Sequence, residues 1–152
     1  HFFTPAAVTD LVEVIKGEST SPEVFERGVA FVQSLGKTPL RVQRDIPGFS
    51  MNRILNAALR EAVDLVAEGI ASPEDLDVGL RLAYGCKRGL FEIADYAGLD
   101  TCVLVRQSLI DLGEQALVSR SDLIEGMVSK GYLGRKMGKG FYRYTPEGKR
   151  IP

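Results

Sequence analysis

The sequence predicts a mostly α protein, in which a short βαβ remnant is followed by an all-α helical bundle domain of about five helices. Three observations predict it. Two β-rich runs, near residues 11–15 and 39–43, flank a well-punctuated helical stretch. A break at Asp45-Ile46-Pro47-Gly48 separates this part from a region of different composition. Beyond the break, apolar residues recur at helical spacing in successive segments, each bounded by a capping residue or a glycine.

The elements follow in order. Leu11-Val12-Glu13-Val14-Ile15 is a β-rich run ending at Gly17. A helix is predicted next, with Ser21 as cap, Pro22 at its first position, Gly36 at its end, and Val24, Phe25, Val29 and Val32 as its apolar stripe. Pro39-Leu40-Arg41-Val42-Gln43 completes the βαβ unit, which by itself is too small for a stable sheet. From Phe49 to Glu68 the pattern predicts a long helix, with Ile54, Leu55, Ala58, Leu59, Ala62, Val63 and Val66 on its inner side and Gly69 as its stop. Ser72-Pro73 opens a helix running to about Tyr84, and another covers Leu90–Ala97. Asp100 is expected to cap a helix reaching Val118, and Ser121 a last one stopping at Gly131. Gly134 to Tyr144 is a glycine-rich basic loop, ordered by burying Phe141, Tyr142 and Tyr144. The domains predicted are therefore 1–46 and 47–152.

With 152 residues, 45% apolar and 26% charged, the chain can bury a core and reads as a soluble globular protein. It holds no run of the ~20 apolar residues a membrane span needs, and its opening lacks a basic region followed by an apolar stretch, so no signal peptide is expected. The absence of an initiator methionine reads as a cut through a longer protein. Two isolated cysteines, Cys86 and Cys102, with one histidine argue against a structural zinc site and suggest a cytoplasmic location. The net charge of −1 hides an asymmetry: residues 130–150 carry seven lysines and arginines against Glu147 alone. That tail reads either as a solvated face or as a contact with the phosphates of a cofactor. The acidic remainder argues against nucleic acid.

Few residues here suggest chemistry. His1 is the only histidine, the residue type best suited to general-base work near neutral pH, though a lone histidine is more often structural or exposed. Glu13 lies inside an apolar strand pattern. On pattern alone it either points to water from an edge strand or is buried and needs a partner. The partner available to a buried Glu13 is His1, since a carboxylate beside an imidazole fixes its tautomer and raises its basicity. Asn52, early in the long helix, is either a local cap or an amide donor to a substrate oxygen. Gly138-Lys139-Gly140 is no dinucleotide fingerprint, because it neither follows a strand nor opens a helix, and no phosphate-loop or hydrolase motif is present.

Taken in order, these segments resemble the 3-hydroxyacyl-CoA dehydrogenases. His1-Phe2-Phe3-Thr4-Pro5 through Leu11-Val12-Glu13-Val14-Ile15 resembles the family's HFFNP…LVEVI signature, with Thr4 in place of Asn. Asp45 to Arg53 is similar to its D-x-P-G-F-x-x-N-R segment. Gly89-Leu90-Phe91-Glu92 through Asp95-Tyr96-Ala97-Gly98-Leu99-Asp100 resembles G-P-F-E…D-x-x-G-L-D, with Leu90 for Pro and Cys86-Lys87-Arg88 departing from the usual residues before the glycine. Gly134 to Tyr144 is similar to G-x-K-[TS]-G-x-G-F-Y-x-Y.

The resemblance implies that residues 1–46 are the end of a Rossmann-type NAD-binding domain and that the rest is the family's helical dimerisation domain. It further implies that His1 is the general base, Glu13 its orienting partner, Asn52 a donor to the reacting oxygen, and Lys136 a contact to NAD. The expected reaction is oxidation of an L-3-hydroxyacyl-CoA to a 3-ketoacyl-CoA in fatty-acid β-oxidation, in a homodimer; fusion of the parent chain to an enoyl-CoA hydratase is a further option the resemblance allows. Because the pyrophosphate-binding turn lies upstream in the family, the 152-residue piece is expected to be inactive alone. Two alternatives remain open: a non-catalytic helical dimerisation module, and a dehydrogenase of a related non-CoA hydroxy acid.

Overall fold

The computed structural model describes residues 1–151 and divides into two compact units, His1–Asn52 and Arg53 to the chain end.

In the first unit, β1 (Leu11–Ile15) and β2 (Thr38–Val42) pair in parallel, from Leu11 opposite Thr38 to Ile15 opposite Val42. Parallel neighbours need a crossover, and α1 (Pro22–Ser34) supplies it. The Ser21 side chain accepts from the Val24 N–H, as its position before Pro22 predicts. Phe25, Val29 and Val32 are buried, whereas Val24 is exposed, so the stripe is narrower than the sequence suggests. Gly28 lets α1 lie close to the sheet, since a β-carbon there would sit 3.2 Å from Val14. The opposite side of β1 is covered as well. His1 and Glu13 exchange backbone hydrogen bonds, His1 N to Glu13 O at 2.8 Å and Glu13 N to His1 O at 3.0 Å, and Phe2 bridges Val12 in antiparallel fashion. Paired on both sides, β1 is not an edge strand, which removes the water-facing reading of Glu13.

Five helices follow: α2 (Met51–Ala67), α3 (Pro73–Tyr84), α4 (Leu90–Ala97), α5 (Leu99–Asp111) and α6 (Leu123–Val128). Ser72 caps α3 by accepting from Asp75 N–H. Gly69 ends α2 in the left-handed conformation, with Ile70 N–H reaching back to Leu65. Two expectations need correction. The helix expected from Asp100 to Val118 spans Leu99–Asp111, because Leu112-Gly113 closes it and a short 3₁₀ turn (Gln115–Leu117) follows; its cap position is Gly98, with Asp100 in the first turn. On α2, Ile54 and Ala58 are exposed, not on the inner side.

The second unit's core centres on Ala62, Val63, Phe91 and Tyr142, with Leu59, Val66, Leu76, Leu90, Leu123, Ile124, Phe141 and Tyr144 packed around them. The glycine-rich segment becomes a 3₁₀ turn (Arg135–Met137) and the hairpin of β3 (Arg143–Tyr144) and β4 (Arg150–Ile151). Two buried carboxylates hold it, Asp77 through the Tyr142 hydroxyl and Asp95 through three donors. Asp95 accepts from the N–H groups of Phe141 and Tyr142 and from the Tyr144 hydroxyl, each at 2.9 Å. Among the described residues, no helix is long and apolar enough to cross a membrane and no group of side chains is arranged to hold a metal ion.

Candidate active site

Glu13 organises the site. It is 1% exposed, on a strand flanked on both sides. Burying an ionisable carboxyl requires partners, and the fold provides donors to both oxygens. Oε2 lies 2.7 Å from His1 Nδ1. Oε1 accepts from Ser50 N–H at 3.0 Å, Ser50 hydroxyl at 2.5 Å and Met51 N–H at 3.0 Å. Met51 is the first residue of α2, so Glu13 acts as an N-terminal cap supplied from a strand 38 residues earlier. Its charge also lies at the positive end of that helix.

His1 is held twice. Its backbone is paired with Glu13, and its ring packs at 4.6 Å from Phe3 and 5.2 Å from Phe49. Phe49 has φ of 48°, following Gly48 at 77°. Two successive left-handed residues turn the chain sharply, and for a bulky residue this conformation is costly. The turn delivers Ser50 to Glu13 and Phe49 to the imidazole. A carboxylate can only accept, so this contact favours the imidazole form that carries a proton on Nδ1. No described residue hydrogen-bonds Nε2.

Asn52 lies half-buried in the first turn of α2, the turn capped by Glu13, and its amide makes no hydrogen bond to a described residue. The structure therefore gathers His1, Glu13 and the turn bearing Asn52. Ser50 is the residue that sequence reasoning missed as a contributor. Its signal was a serine immediately before a helix, which reads as a local cap, whereas its hydroxyl and N–H serve Glu13 instead. Lys136 belongs to the second unit, where its ammonium is 2.6 Å from both oxygens of Asp100. That hydrogen bond holds the Asp100 carboxyl below the usual range. The basic tail is partly spent on its own unit: Arg150 pairs with Glu92 and Glu74, and Lys139 lies over the Tyr132 ring at 3.8 Å.

A buried carboxylate held against an imidazole, on a parallel βαβ unit followed in the chain by a helical bundle, defines the fold class: the end of an α/β domain with an α-helical domain after it. Residues 1–46 match the model of the 3-hydroxyacyl-CoA dehydrogenase NAD-binding domain, and residues 48–144 match that of the C-terminal domain of the same enzymes. The chain belongs to the 3-hydroxyacyl-CoA dehydrogenase family. It is 43% identical over 145 residues to a probable 3-hydroxybutyryl-CoA dehydrogenase of Deinococcus radiodurans, covering 95% of this chain and 51% of that protein. It is 41% identical to the human mitochondrial hydroxyacyl-coenzyme A dehydrogenase, covering 95% and 46%. Among solved structures, the (S)-3-hydroxybutyryl-CoA dehydrogenase of Ralstonia eutropha superposes with a TM-score of 0.85 at 39% identity, over 95% of this chain and 51% of that one. The chain thus spans about half the length of the relatives it matches.

Proposed function

We propose that these residues are the carboxyl-terminal portion of an NAD-dependent L-3-hydroxyacyl-CoA dehydrogenase, with domains at 1–46 and 47–152, which oxidises a 3-hydroxyacyl-CoA to a 3-ketoacyl-CoA in fatty-acid β-oxidation. The observation that carries this is the 2.7 Å contact of His1 Nδ1 with the buried Glu13.

The residues present fit the reactive end of NAD. His1, paired with Glu13 at the middle of β1, offers a proton acceptor, while the turn that would hold the pyrophosphate is not among them. NAD bound here would supply the hydride acceptor for C3 of the substrate. His1 accepts the hydroxyl proton at Nε2. Glu13 keeps the ring in the required tautomer and stabilises the imidazolium that forms. Ser50, Met51 and the α2 turn hold Glu13 in place, so the base does not reorient during the reaction. Asn52 directs its unengaged amide to the substrate oxygen as it becomes a carbonyl. Lys136, held by Asp100, is assigned to the cofactor on the resemblance of its motif alone.

Replacing His1 with alanine in the full-length enzyme should cut turnover by ~10²–10⁴-fold. Turnover close to normal would exclude His1 as the base. The 152-residue chain by itself should show no turnover.

Association through the helical unit is part of the same reading. α5 exposes Leu104 and Val105, and α2 exposes Ile54, which suits a homodimer and equally suits the alternative of a non-catalytic dimerisation module. A dehydrogenase of a non-CoA hydroxy acid is a further alternative, and activity assays with and without the CoA moiety separate the two. A cytoplasmic location and a fused hydratase in the parent complete the proposal; the human and rodent relatives are named mitochondrial, and one structural neighbour is the dehydrogenase part of a multifunctional enzyme from C. elegans.

A further inference from the structure

The second unit contains a polar cleft of about 240 Å³ between the α3–α4 connection, α4 and the C-terminal hairpin. Arg88, Glu92, Tyr96, Arg135, Tyr144 and Arg150 line it. None of these residues has a part in the proton transfer described above.

The charges do not cancel. Arg150 is neutralised by Glu92 and Glu74, and Glu92 also takes Arg81. The Tyr144 hydroxyl is committed to Asp95. That leaves Arg88 and Arg135, neither of which pairs with a carboxylate among the described residues. Their guanidinium carbons lie 4.7 and 5.0 Å from the centroid of one ring, that of Tyr96. Two like charges gathered at a single ring repel each other, and the ring offsets this only in part. Arg135 is fixed further, because its Nε–H donates to Gly148 O at 2.9 Å. Gly148 has φ of 78°, and a side chain there would collide with that guanidinium. The hairpin is therefore shaped around an arginine whose terminal amino groups remain available.

We propose that this cleft is a binding site for a phosphate group, with Arg88 and Arg135 as its two forks and Tyr96 as the surface that pre-orients them. Two uncompensated guanidiniums balance a phosphate dianion, and their planar forks match its oxygens in pairs. Because both sit against the ring already, little side-chain freedom is lost on binding. With Tyr96 occupied by the guanidiniums, the site reads charge and shape and gives no stacking surface to a base. The inference is independent of the dehydrogenase reading.

The test is an NMR titration of this chain with inorganic phosphate and, separately, with adenosine 3′,5′-bisphosphate, at constant ionic strength set by chloride. Saturable shifts centred on residues 88–96, 135 and 148 are expected. Arg88→Ala and Arg135→Ala should each weaken binding by about tenfold or more. Arg88→Lys, which keeps the charge but not the fork, should also bind more weakly than the parent. Arg27→Ala, an exposed arginine of the first unit, should change nothing. Saturation by both ligands means that the phosphate group suffices; saturation by the bisphosphate alone identifies an organic phosphate ester as the ligand. No saturation with either, or unchanged affinity in the Arg88→Ala variant, overturns the proposal. Since Arg88 makes no hydrogen bond to a described residue, its variant tests the site even if Arg135→Ala unfolds.

Discussion

The hydroxyl of Tyr142 donates at 2.8 Å to the carboxylate of Asp77, a residue 65 positions earlier that is completely buried. The same carboxylate accepts from the N–H groups of Phe91 and Glu92. Asp77 thus ends one helix-to-hairpin contact and caps α4 at the same time. Gly89 stands at the cap position of α4 because any side chain there would overlap Asp77.

Removing the Tyr142 hydroxyl should expose how much this contact stabilises. Tyr142→Phe leaves a lone pair of a buried carboxylate without its donor and frees Pro73 O, which the hydroxyl also reaches at 3.1 Å. A loss of about 1–3 kcal/mol is expected in urea unfolding. A variant as stable as the parent would show that water replaces the hydroxyl without cost.

Gly140 has an ordinary backbone conformation, yet alanine should not be tolerated there. The added methyl would overlap the Asp95 carboxylate and come within 2.7 Å of Gly134 Cα. The expected destabilisation is about 1–3 kcal/mol, of the kind seen on overpacking. Gly126→Ala, where the new methyl meets nothing within 4 Å, is the control and should be nearly neutral.

Glu13→Ala should destabilise by about 1–3 kcal/mol, since it strands the N–H groups of Ser50 and Met51 at the partly buried start of α2. It should also release the His1 ring. Nitrogen chemical shifts of the imidazole provide the check: a single tautomer protonated at Nδ1 in the parent, and a mixture in the variant.

The pH dependence of stability should carry a distinct signature from Asp95. Burial raises its carboxyl above the ordinary range, against the opposing pull of the N–H groups of Tyr142 and Phe141. A raised carboxyl binds its proton more tightly folded than unfolded. Its contribution is complete below the unfolded value, ~3.9, and is lost as pH rises through the folded one. The stability difference between the parent and Asp95→Asn, measured by thermal unfolding from about pH 3 to 7, should therefore shift against the parent as pH rises. Glu92 runs the other way. Burial raises it, but Arg81, Arg150 and the Gly89 N–H together hold it low, so its stabilisation is present at neutral pH and lost on acidification. An advantage of the parent over Asp95→Asn that increases with pH would reverse the assignment.

What the sequence determined by itself was local. Ser21 and Ser72 cap their helices because each accepts from an N–H three residues on, and Gly69 and Gly85 stop theirs by adopting a conformation other residues resist. Strand pattern and helix spacing gave the βαβ unit and five helices, since burial of one face imposes those periods. Where the determinant was a partner distant in sequence, the pattern was silent. Whether Glu13 faced water or His1 depended on residues 1 and 2 pairing along β1 and on Ser50 arriving from the Gly48–Phe49 turn. The end of α5 at Asp111 was set by Gly113 and the turn after it, though the apolar residues continue to Val118. Only the tertiary structure decided that α2 and α4 begin on carboxylates from other elements, Glu13 and Asp77, because a buried charge is stable only where donors converge from several parts of the chain.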